Sequence, residues 1–250
     1  MMSLSAVIIA KNEEEMITDC LDHLKFCDEV IVIDGKSEDR TVDIAKKMGA
    51  KVYQQPFTDF ATARNFGLEK ANGEWILYID ADERVGNDLR ENMVRTIKEG
   101  IKEISAYKVQ RKNYYFGNHQ WPYIETLERL FKKEKLKGWY GVLHESPKVD
   151  GRIDVLGGFL MHYTHRDLHS MLEKTIVWST TEAKLRYDAS HPKMTWWRFP
   201  RVMISSFFQS YIIDKGYKAG TAGLVESIYQ SFSMFVTYAK LWEKQQETKQ

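Results

Sequence analysis

The first hundred residues alternate short apolar runs, rich in Ile and Val, with segments of helical periodicity, and this alternation limits the fold more than any other feature of the chain. The predicted strands are residues 4–10, 29–33, 50–53 and 74–79. Helices are predicted after the strands, among them 60–70 and 87–98. Because strands that alternate with helices pair in parallel through right-handed crossovers, the sequence predicts an open α/β sheet covered on both faces.

Polar side chains directly follow three of the predicted strands. The first strand is followed by Lys-Asn-Glu-Glu at 11–14, the second by Asp-Gly-Lys-Ser at 34–37, and the fourth by Asp-Ala-Asp-Glu at 80–83. Because ligands of open α/β sheets bind at the carboxyl ends of the strands, we expect these segments to line one crevice. Asp80 and Asp82 carry the carboxylates that Mg²⁺ and Mn²⁺ prefer, although an acidic pair at a strand end could also be a solvated turn.

The predicted crevice lacks the glycine-rich phosphate loops that many nucleotide-binding sheets use. No G-x-G-x-x-G follows the first strand, and no G-x-x-x-x-G-K-[ST] occurs in the chain. A diphosphate would therefore have to be held by a metal ion and by basic side chains.

Four motifs in the first hundred residues carry a family resemblance. They are Ile8-Ile9-Ala10-Lys11-Asn12-Glu13-Glu14, Asp34-Gly35-Lys36-Ser37-Glu38-Asp39-Arg40-Thr41, Ala63-Arg64-Asn65 and Asp80-Ala81-Asp82-Glu83. In this order and at these separations, they resemble the nucleotide-sugar half of a family 2 glycosyltransferase. More loosely, Leu143-His144-Glu145 and His162-Tyr163-Thr164-His165 resemble the bacterial subgroup typified by lipopolysaccharide-core glucosyltransferases.

The resemblance implies a GT-A fold, which is an α/β architecture with a Rossmann-like, mostly parallel sheet. Residues 1–100 would form the nucleotide-sugar-binding part, and residues 101–165 the acceptor side of the same domain. From about residue 166 the pattern changes to helices. Residues 166–250 are therefore expected to form a C-terminal helical extension.

The resemblance also assigns residues to the donor nucleoside, which is expected to be uridine. The assigned residues are Ala10, Asn12, Glu14 and Asp34. From the residues alone, Asn12 could instead cap the following helix, and Glu14 could be a solvated acid in its first turn.

The diphosphate and its metal ion are assigned to Arg64 and the D-x-D motif. Arg64 would reach the diphosphate. Alternatively, its side chain could form only a surface salt bridge. Asp82 would bind Mg²⁺ or Mn²⁺, Ala81 would lie beside it in the donor site, and Asp80 would contact the ribose or a water on the metal.

His162, His165 and His169 lie at a spacing that could bind zinc. No further soft ligand is near them in the sequence, and the resemblance implies that one late histidine completes the divalent site. His162 is predicted for that role, with His165 as its substitute. His169 is expected on a partly buried or solvated helix face.

A base is needed because an acceptor hydroxyl has a pKa far above neutral pH and must lose its proton as it attacks the anomeric carbon. The resemblance places an acid near Glu145, which we predict to be the catalytic base. The neighbouring His144 could fill the same role or orient the acid by a hydrogen bond.

These assignments predict an inverting, metal-dependent hexosyltransferase that moves a sugar from a nucleotide-diphosphate donor, such as a UDP-sugar, to a hydroxyl of a glycan or glycolipid. Lipopolysaccharide-core or cell-surface polysaccharide synthesis is the expected setting. The alternatives are transfer to polyprenyl phosphate or a peptide, and a nucleotide-sugar-binding scaffold that has lost turnover.

The segment 105–137 interleaves aromatic with basic side chains and is expected to dock the acceptor, because aromatic faces suit sugar rings. The alternative is a β-ribbon whose aromatic side chains pack on the sheet. The 36 basic and 35 acidic residues give a net charge of +1, which provides no broad field for a polyanion and argues against nucleic acid as the partner.

The expected location is the cytoplasm, because Cys20 and Cys27 are too few for a disulfide framework and the N-terminus lacks a signal peptide's basic region. Residues 196–213 begin with Trp-Trp-Arg-Phe-Pro-Arg and continue as an amphipathic run shorter than the roughly 20 residues that span a bilayer. They could lie on an anionic lipid surface at the inner face of the membrane, pack in the core, or join subunits of a homo-oligomer.

Overall fold

The computed structural model describes residues 3–57, 59–101, 103–142 and 145–247. Within them the chain divides into two compact units. Unit 1 is drawn from Met1–Lys112 and Glu125–His162, and unit 2 from Asn113–Ile124 and Tyr163–Gln250.

The first part of the chain alternates strands and helices, as predicted. Its elements are β1 (Leu4–Ala10), α1 (Ile17–Asp22), β2 (Glu29–Asp34), α2 (Thr41–Lys47), β3 (Lys51–Gln54), α3 (Phe60–Lys70), β4 (Trp75–Asp80), β5 (Glu83–Val85) and α4 (Asn87–Glu99). The four predicted strands and the predicted helices 60–70 and 87–98 all occur, with ends shifted by at most one residue.

Longer strands and then helices follow. The strands are β6 (Ile104–Tyr115), β7 (His119–Lys132), β8 (Leu136–Tyr140), β9 (Ser146–Val149) and β10 (Arg152–Tyr163). The helices are α5 (Leu168–Asp188), α6 (Arg198–Phe208) and α7 (Gly220–Glu247), with a π-helical turn at Gln209–Ile213 and 3₁₀ turns at Lys133–Lys135 and Gly216–Ala219.

Eight of these strands form one sheet in the order β3-β2-β1-β4-β7-β6-β10-β5. β3, β2, β1 and β4 are parallel, which confirms the predicted α/β class, and β7 pairs antiparallel with β4. The register places Ala10 opposite Asp34 and Ile9 opposite Asp80. The carboxyl ends of β1, β2 and β4 therefore reach the same edge of the sheet, as predicted.

The core of unit 1 lies on both faces of the parallel strands, and every residue of β1 is buried. Alternate residues of β1 belong to two clusters, one containing Ile8 and the other containing Val7. Helix α3 packs on the Val7 face through Gly67, where an added Cβ would overlap Val7 Cγ1. This close approach fixes the position of α3, which carries Arg64.

Unit 2 is built on the three long helices. Its core contains Ala183, Met194, Tyr238 and Leu241, with Phe199 and Val202 of α6 packed against it. In the described part of the chain, no helix is both long enough and apolar enough to cross a bilayer.

Candidate active site

The loops after β1 and β2 are joined by side-chain hydrogen bonds. Asn12 Oδ1 accepts from the backbone N–H of Glu38 at 2.8 Å, and the Asn12 N–H donates to Ser37 Oγ at 2.8 Å. Glu14 accepts from the backbone N–H and the Nε of Arg40, both at 3.1 Å. The alternative that Asn12 caps the following helix is wrong, because α1 starts at Ile17 and has no side-chain cap.

Asp34, assigned to the nucleoside, is fully buried at the tip of β2. Its carboxylate accepts from the N–H of Ser37 at 3.1 Å and from Ser37 Oγ at 2.5 Å. Because Ser37 also bonds Asn12, the loops after β1 and β2 form one hydrogen-bonded rim. Ala10, the last residue of β1, is buried beside Asp34 in the register of the two strands.

Asp80, at the tip of β4, lies between two arginines. Arg64 Nη2 of α3 donates to Asp80 Oδ1 at 3.0 Å, and Arg129 Nη2 of β7 donates to Asp80 Oδ2 at 2.8 Å. Burial alone would raise the pKa of Asp80, but the guanidinium charges of Arg129 and Arg64 outweigh it and hold that pKa well below its usual range. Asp80 is therefore an ionised carboxylate with both oxygens engaged.

Glu145, the predicted base, contacts the same cluster. Arg64 Nε donates to Glu145 Oε1 at 3.1 Å, so one guanidinium bridges Glu145 and Asp80. Glu145 is 15% exposed and Arg64 is 4% exposed. The structure thus brings together three residues that lie up to 81 positions apart in the sequence. His144, the alternative base, lies outside the described residues.

The pairing of opposite charges continues beyond Asp80. Arg129 Nη2 also donates to Glu83 Oε1 at 2.7 Å, and Arg111 Nη1 donates to the same oxygen at 2.9 Å. Arg111 in turn contacts Glu125. Burial alone would lower the pKa of Arg129, but Asp80 and Glu83 raise it above its usual value. We call this series of alternating acidic and arginine side chains the acid-arginine network. Its members, in order of contact, are Glu145, Arg64, Asp80, Arg129, Glu83, Arg111 and Glu125.

Two guanidinium N–H groups in this network point to a ligand. Arg64 Nη1 and Arg129 Nε are buried and have no hydrogen-bond partner among the described residues. Arg64 is fixed by the ring of Trp139, whose centroid lies 4.8 Å from its guanidinium carbon. Because unpaired buried donors are rare in folded proteins, these N–H groups indicate a place for anionic oxygens beside Asp80.

Asp82 and His162 are brought together, although 80 residues separate them in the sequence. β5 pairs antiparallel with β10, and this register places Glu83 opposite His162. His162 Nε2 then lies 3.3 Å from Asp82 Oδ2, and the two side chains are 14% and 16% exposed. Ala81 is buried between the two aspartates.

Asp82 and His162 supply a carboxylate oxygen and an imidazole nitrogen, which are both ligand types for Mn²⁺, and a carboxylate also suits Mg²⁺. In residues 3–57, 59–101, 103–142 and 145–247, no group of three His, Cys, Asp or Glu side chains is arranged to hold a metal ion. A two-ligand pair fits a cation whose remaining ligands come from substrate phosphate and water. The residues present therefore fit a divalent cation shared with a diphosphate.

The other histidines have different surroundings. His165 Nδ1 lies 3.0 Å from the carboxylate oxygens of the buried Glu226 in unit 2. His169 lies in the first turn of α5, where it is 84% exposed and lies 3.4 Å from Glu173.

A cavity of about 580 Å³ lies along α4, lined by side chains that include Arg90 and Glu91 and by no member of the acid-arginine network.

Sequence reasoning missed the roles of Arg129, Arg111 and Glu83. Glu83 follows the D-x-D motif directly, and its complete burial next to a charged loop was not evident from the pattern. Arg111 and Arg129 read as two of several basic residues between aromatic ones. Their shared partner, Glu83, is visible only once the strands are placed in the sheet.

Comparison with known proteins places the chain among glycosyltransferases. The model of the family "Glycosyl transferase family 2" matches residues 5–149. An uncharacterized glycosyltransferase of Rickettsia typhi is 30% identical over 97% of this chain and 88% of its own. The lipopolysaccharide core biosynthesis glycosyltransferase LpsC of Rhizobium meliloti is 25% identical over 97% of this chain and 93% of its own.

A solved structure shares the fold over nearly the whole chain. The structure of S. aureus TarS 1–349 in complex with UDP-GlcNAc covers 99% of this chain and 92% of its own, with 14% identity and a TM-score of 0.51. At this identity the likeness bears on the fold alone.

Proposed function

The chain belongs to glycosyl transferase family 2, and from this premise we propose that it transfers a sugar, with inversion, from a UDP-sugar to a hydroxyl group of a glycan or glycolipid. Membership of the family makes it a glycosyltransferase with a nucleotide-sugar donor and the GT-A fold. The base, the metal and the acceptor are our proposals.

The observation that supports the proposal best is the convergence of Asp82 with His162 and of Arg64 with Asp80 and Glu145 in unit 1. The sequence motifs assigned Asp82 and His162 to the metal, Arg64 to the diphosphate, Asp80 to the ribose or a water on the metal, and Glu145 to the base. The pairs form through strand register and side-chain hydrogen bonds rather than through closeness in the chain.

We propose that the rim formed by Asn12, Glu14 and Asp34 holds the nucleoside, with Ala10 beneath it. The unpaired N–H groups of Arg64 and Arg129 would donate to the diphosphate oxygens. Asp82 and His162 would hold Mg²⁺ or Mn²⁺, which when bound stabilises the negative charge that develops on the departing diphosphate.

Asp80 was expected to contact the ribose or a water on the metal. Both of its oxygens accept from arginine, but a carboxylate oxygen has two acceptor sites, and the Asp80 side chain is 30% exposed. We propose that Asp80 keeps Arg64 and Arg129 in place and uses its remaining acceptor sites for the ribose.

Glu145 would act as the base. The acceptor oxygen forms a bond to the anomeric carbon from the face opposite the diphosphate, the bond from that carbon to the phosphate oxygen breaks, and the acceptor proton passes to a carboxylate oxygen of Glu145. Attack from the opposite face inverts the anomeric carbon. Arg64 Nε donates to Glu145 Oε1 and so orients the carboxylate that would accept the proton.

The acceptor is proposed to be a glycan or glycolipid of the lipopolysaccharide core or of a surface polysaccharide, because LpsC is named for lipopolysaccharide core biosynthesis. We propose a cytoplasmic protein at the inner face of the membrane. Transfer to polyprenyl phosphate or a peptide is the alternative, and a phosphate acceptor would not need Glu145 as a base.

The test is hydrolysis and transfer measured with a panel of UDP-sugars in the presence of Mn²⁺. We expect Asp82→Ala to abolish turnover, and Glu145→Gln to lower kcat by about 10²-fold or more while donor binding is retained. Asp22→Ala is the matched control, because Asp22 is an exposed acid whose partner, Lys25, is also exposed.

Loss of turnover in the Asp22 control, or normal turnover in Asp82→Ala, would contradict the metal assignment. Normal turnover in Glu145→Gln would remove the base assignment and favour a phosphate acceptor. Donor binding without any turnover in the wild-type protein would support the scaffold alternative.

A further inference from the structure

Helix α6 in unit 2 has two different faces. Its inner face packs toward α7, where Ser231 Oγ donates to the carbonyl of Met203 at 2.9 Å and the rings of Phe199 and Phe235 lie 6.0 Å apart. No residue of α6 is fully buried. The helix is therefore held by one side only and presents its other side to solvent.

The solvent face of α6 is apolar. Ile204 is 69% exposed, Phe208 is 54% exposed, and Ile212 in the following π-helical turn is 43% exposed. These residues are spaced four apart and so lie on one side of the helix. Trp196, just before the helix, is 81% exposed. In a globular protein, an apolar helix stripe of this kind normally packs against the hydrophobic core. Its exposure here indicates a binding surface.

The segment that contains this stripe is rich in basic side chains. Residues 193–218 contain five basic residues and one acidic residue, whereas the whole chain carries a net charge of +1. Arg198 and Arg201 both contact the Trp197 ring, with guanidinium carbons 5.2 and 5.8 Å from its centroid. Tryptophan next to arginine is typical of the interface between lipid headgroups and acyl chains. The positive charge of this segment is complementary to anionic headgroups.

We propose that the exposed face of α6, defined by Trp196, Trp197, Ile204, Phe208 and Ile212 together with Arg198 and Arg201, binds the surface of an anionic lipid bilayer. The apolar side chains enter the boundary between headgroups and acyl chains, and the basic side chains contact lipid phosphates. This surface is made of residues outside the acid-arginine network and the Asp82 and His162 pair. It therefore names a partner without resting on the proposed chemistry.

A second copy of the chain is a poorer occupant of the same face. A two-fold symmetric contact would place each copy of this segment against an identical one, so that two surfaces of net charge +4 would meet. An anionic membrane instead gains from the same charge. Self-association through α6 is thus an outcome that the experiment must separate from lipid binding.

The test is flotation of the full chain with vesicles of phosphatidylcholine alone and of phosphatidylcholine with 30% phosphatidylglycerol, in low salt and in 0.5 M NaCl. We expect flotation with the anionic vesicles at low salt only. The double variant Ile204→Ser/Phe208→Ser should reduce the bound fraction about tenfold or more, and Arg198→Gln/Arg201→Gln should reduce partitioning by roughly fivefold per charge.

The matched control is Ile153→Ser/Val155→Ser, which replaces two apolar residues of β10 in unit 1 that are 37% and 55% exposed. It should float like the wild-type protein. Circular dichroism and hydrolysis of the UDP-sugar donor should be unchanged in every variant, which separates lost lipid binding from lost folding or lost chemistry.

Three results would overturn the proposal. They are absence of flotation with anionic vesicles, flotation that both α6 double variants retain in full, and sedimentation that shows an α6-dependent dimer unable to bind vesicles. Failure of donor hydrolysis in the wild-type protein would overturn the proposed function and leave this inference standing.

Discussion

Arg64 contacts two carboxylates and two aromatic rings through one buried guanidinium. Its Nε and Nη2 donate to Glu145 and Asp80, and its charge lies over the rings of Trp139 and Tyr78. A lysine could not make these contacts, because it lacks the planar fork that donates in two directions. Arginine at this position therefore couples the predicted base to the donor side of the site.

Arg129 should matter for stability as well as for the site. Replacing it by Met leaves the buried Glu83 and the partly exposed Asp80 with one partner fewer each, and we expect the free energy of unfolding to fall by about 3 kcal/mol. Urea denaturation measures this change. Lys108→Met, in the partly exposed pair with Glu128, should change stability by less than about 1 kcal/mol. Equal effects of the two substitutions would show that the network contributes no more than a surface pair.

Glu29 at the start of β2 predicts a pH dependence. Burial alone would raise its pKa, but hydrogen bonds from Lys51, Ser5 and Asn72 outweigh burial and lower it from 4.5 to about 2. Its stabilising contribution is therefore complete above pH 4.5 and is lost as the pH falls toward 2.

Glu29→Gln should accordingly lower the free energy of unfolding by about 1–2 kcal/mol at pH 7, after allowance for the exposed Lys51, and by almost nothing near pH 2. Denaturation curves at several pH values measure the difference. Glu91→Gln, an exposed acid on α4, should show no such trend. A Glu29 effect that does not vary with pH would contradict the assignment.

At the level of elements, the parallel half of the sheet could be predicted closely from the sequence. Runs such as 4–10 are buried on both faces, so nearly every residue in them is apolar and the pattern is unambiguous. β6 and β7 were less predictable, because their mixed burial breaks the alternation and their length exceeds that of ordinary strands.

The predictability of the site residues also depended on whether they lie on parallel or antiparallel strands. Residues at the tips of the parallel strands, such as Asp34 and Asp80, could be predicted because sequence order sets their place at one sheet edge. Arg129 and Arg111 could not, because their partners depend on how antiparallel strands far apart in the chain are registered. A local pattern carries no information about that register.

The packing of helix α3 on β1 can be tested by a substitution at their contact. Gly67→Ala would ordinarily favour a helix, but here the new methyl group overlaps Val7 of β1. We expect a loss of about 2 kcal/mol in the free energy of unfolding, measured by urea denaturation. Glu69→Ala, at an exposed position of the same helix, should be close to neutral. A stabilising Gly67→Ala would mean that α3 can move away from β1.

For the whole molecule, the placement of the proposed donor site in unit 1 predicts which segments a bound nucleotide protects from hydrogen exchange. UDP with Mn²⁺ should slow amide hydrogen exchange at 10–14, 34–41 and 80–85, all in unit 1, and leave α5 to α7 of unit 2 unchanged. Mass spectrometry of exchanged peptides measures this, with Asp82→Ala as the control that should lose the protection. Protection concentrated in α5 to α7 would contradict the placement of the donor site.

The acid-arginine network predicts that single and paired substitutions will affect the protein differently. Each interior member has a neighbour of opposite sign on both sides, so a single substitution leaves two side chains with a lost partner. Removing an adjacent acid and arginine together should harm the protein less than the two single changes predict. A second substitution at Arg129 or Arg64 should therefore recover part of the folding stability that an Asp80 substitution removes, and urea denaturation of the single and double variants measures this recovery.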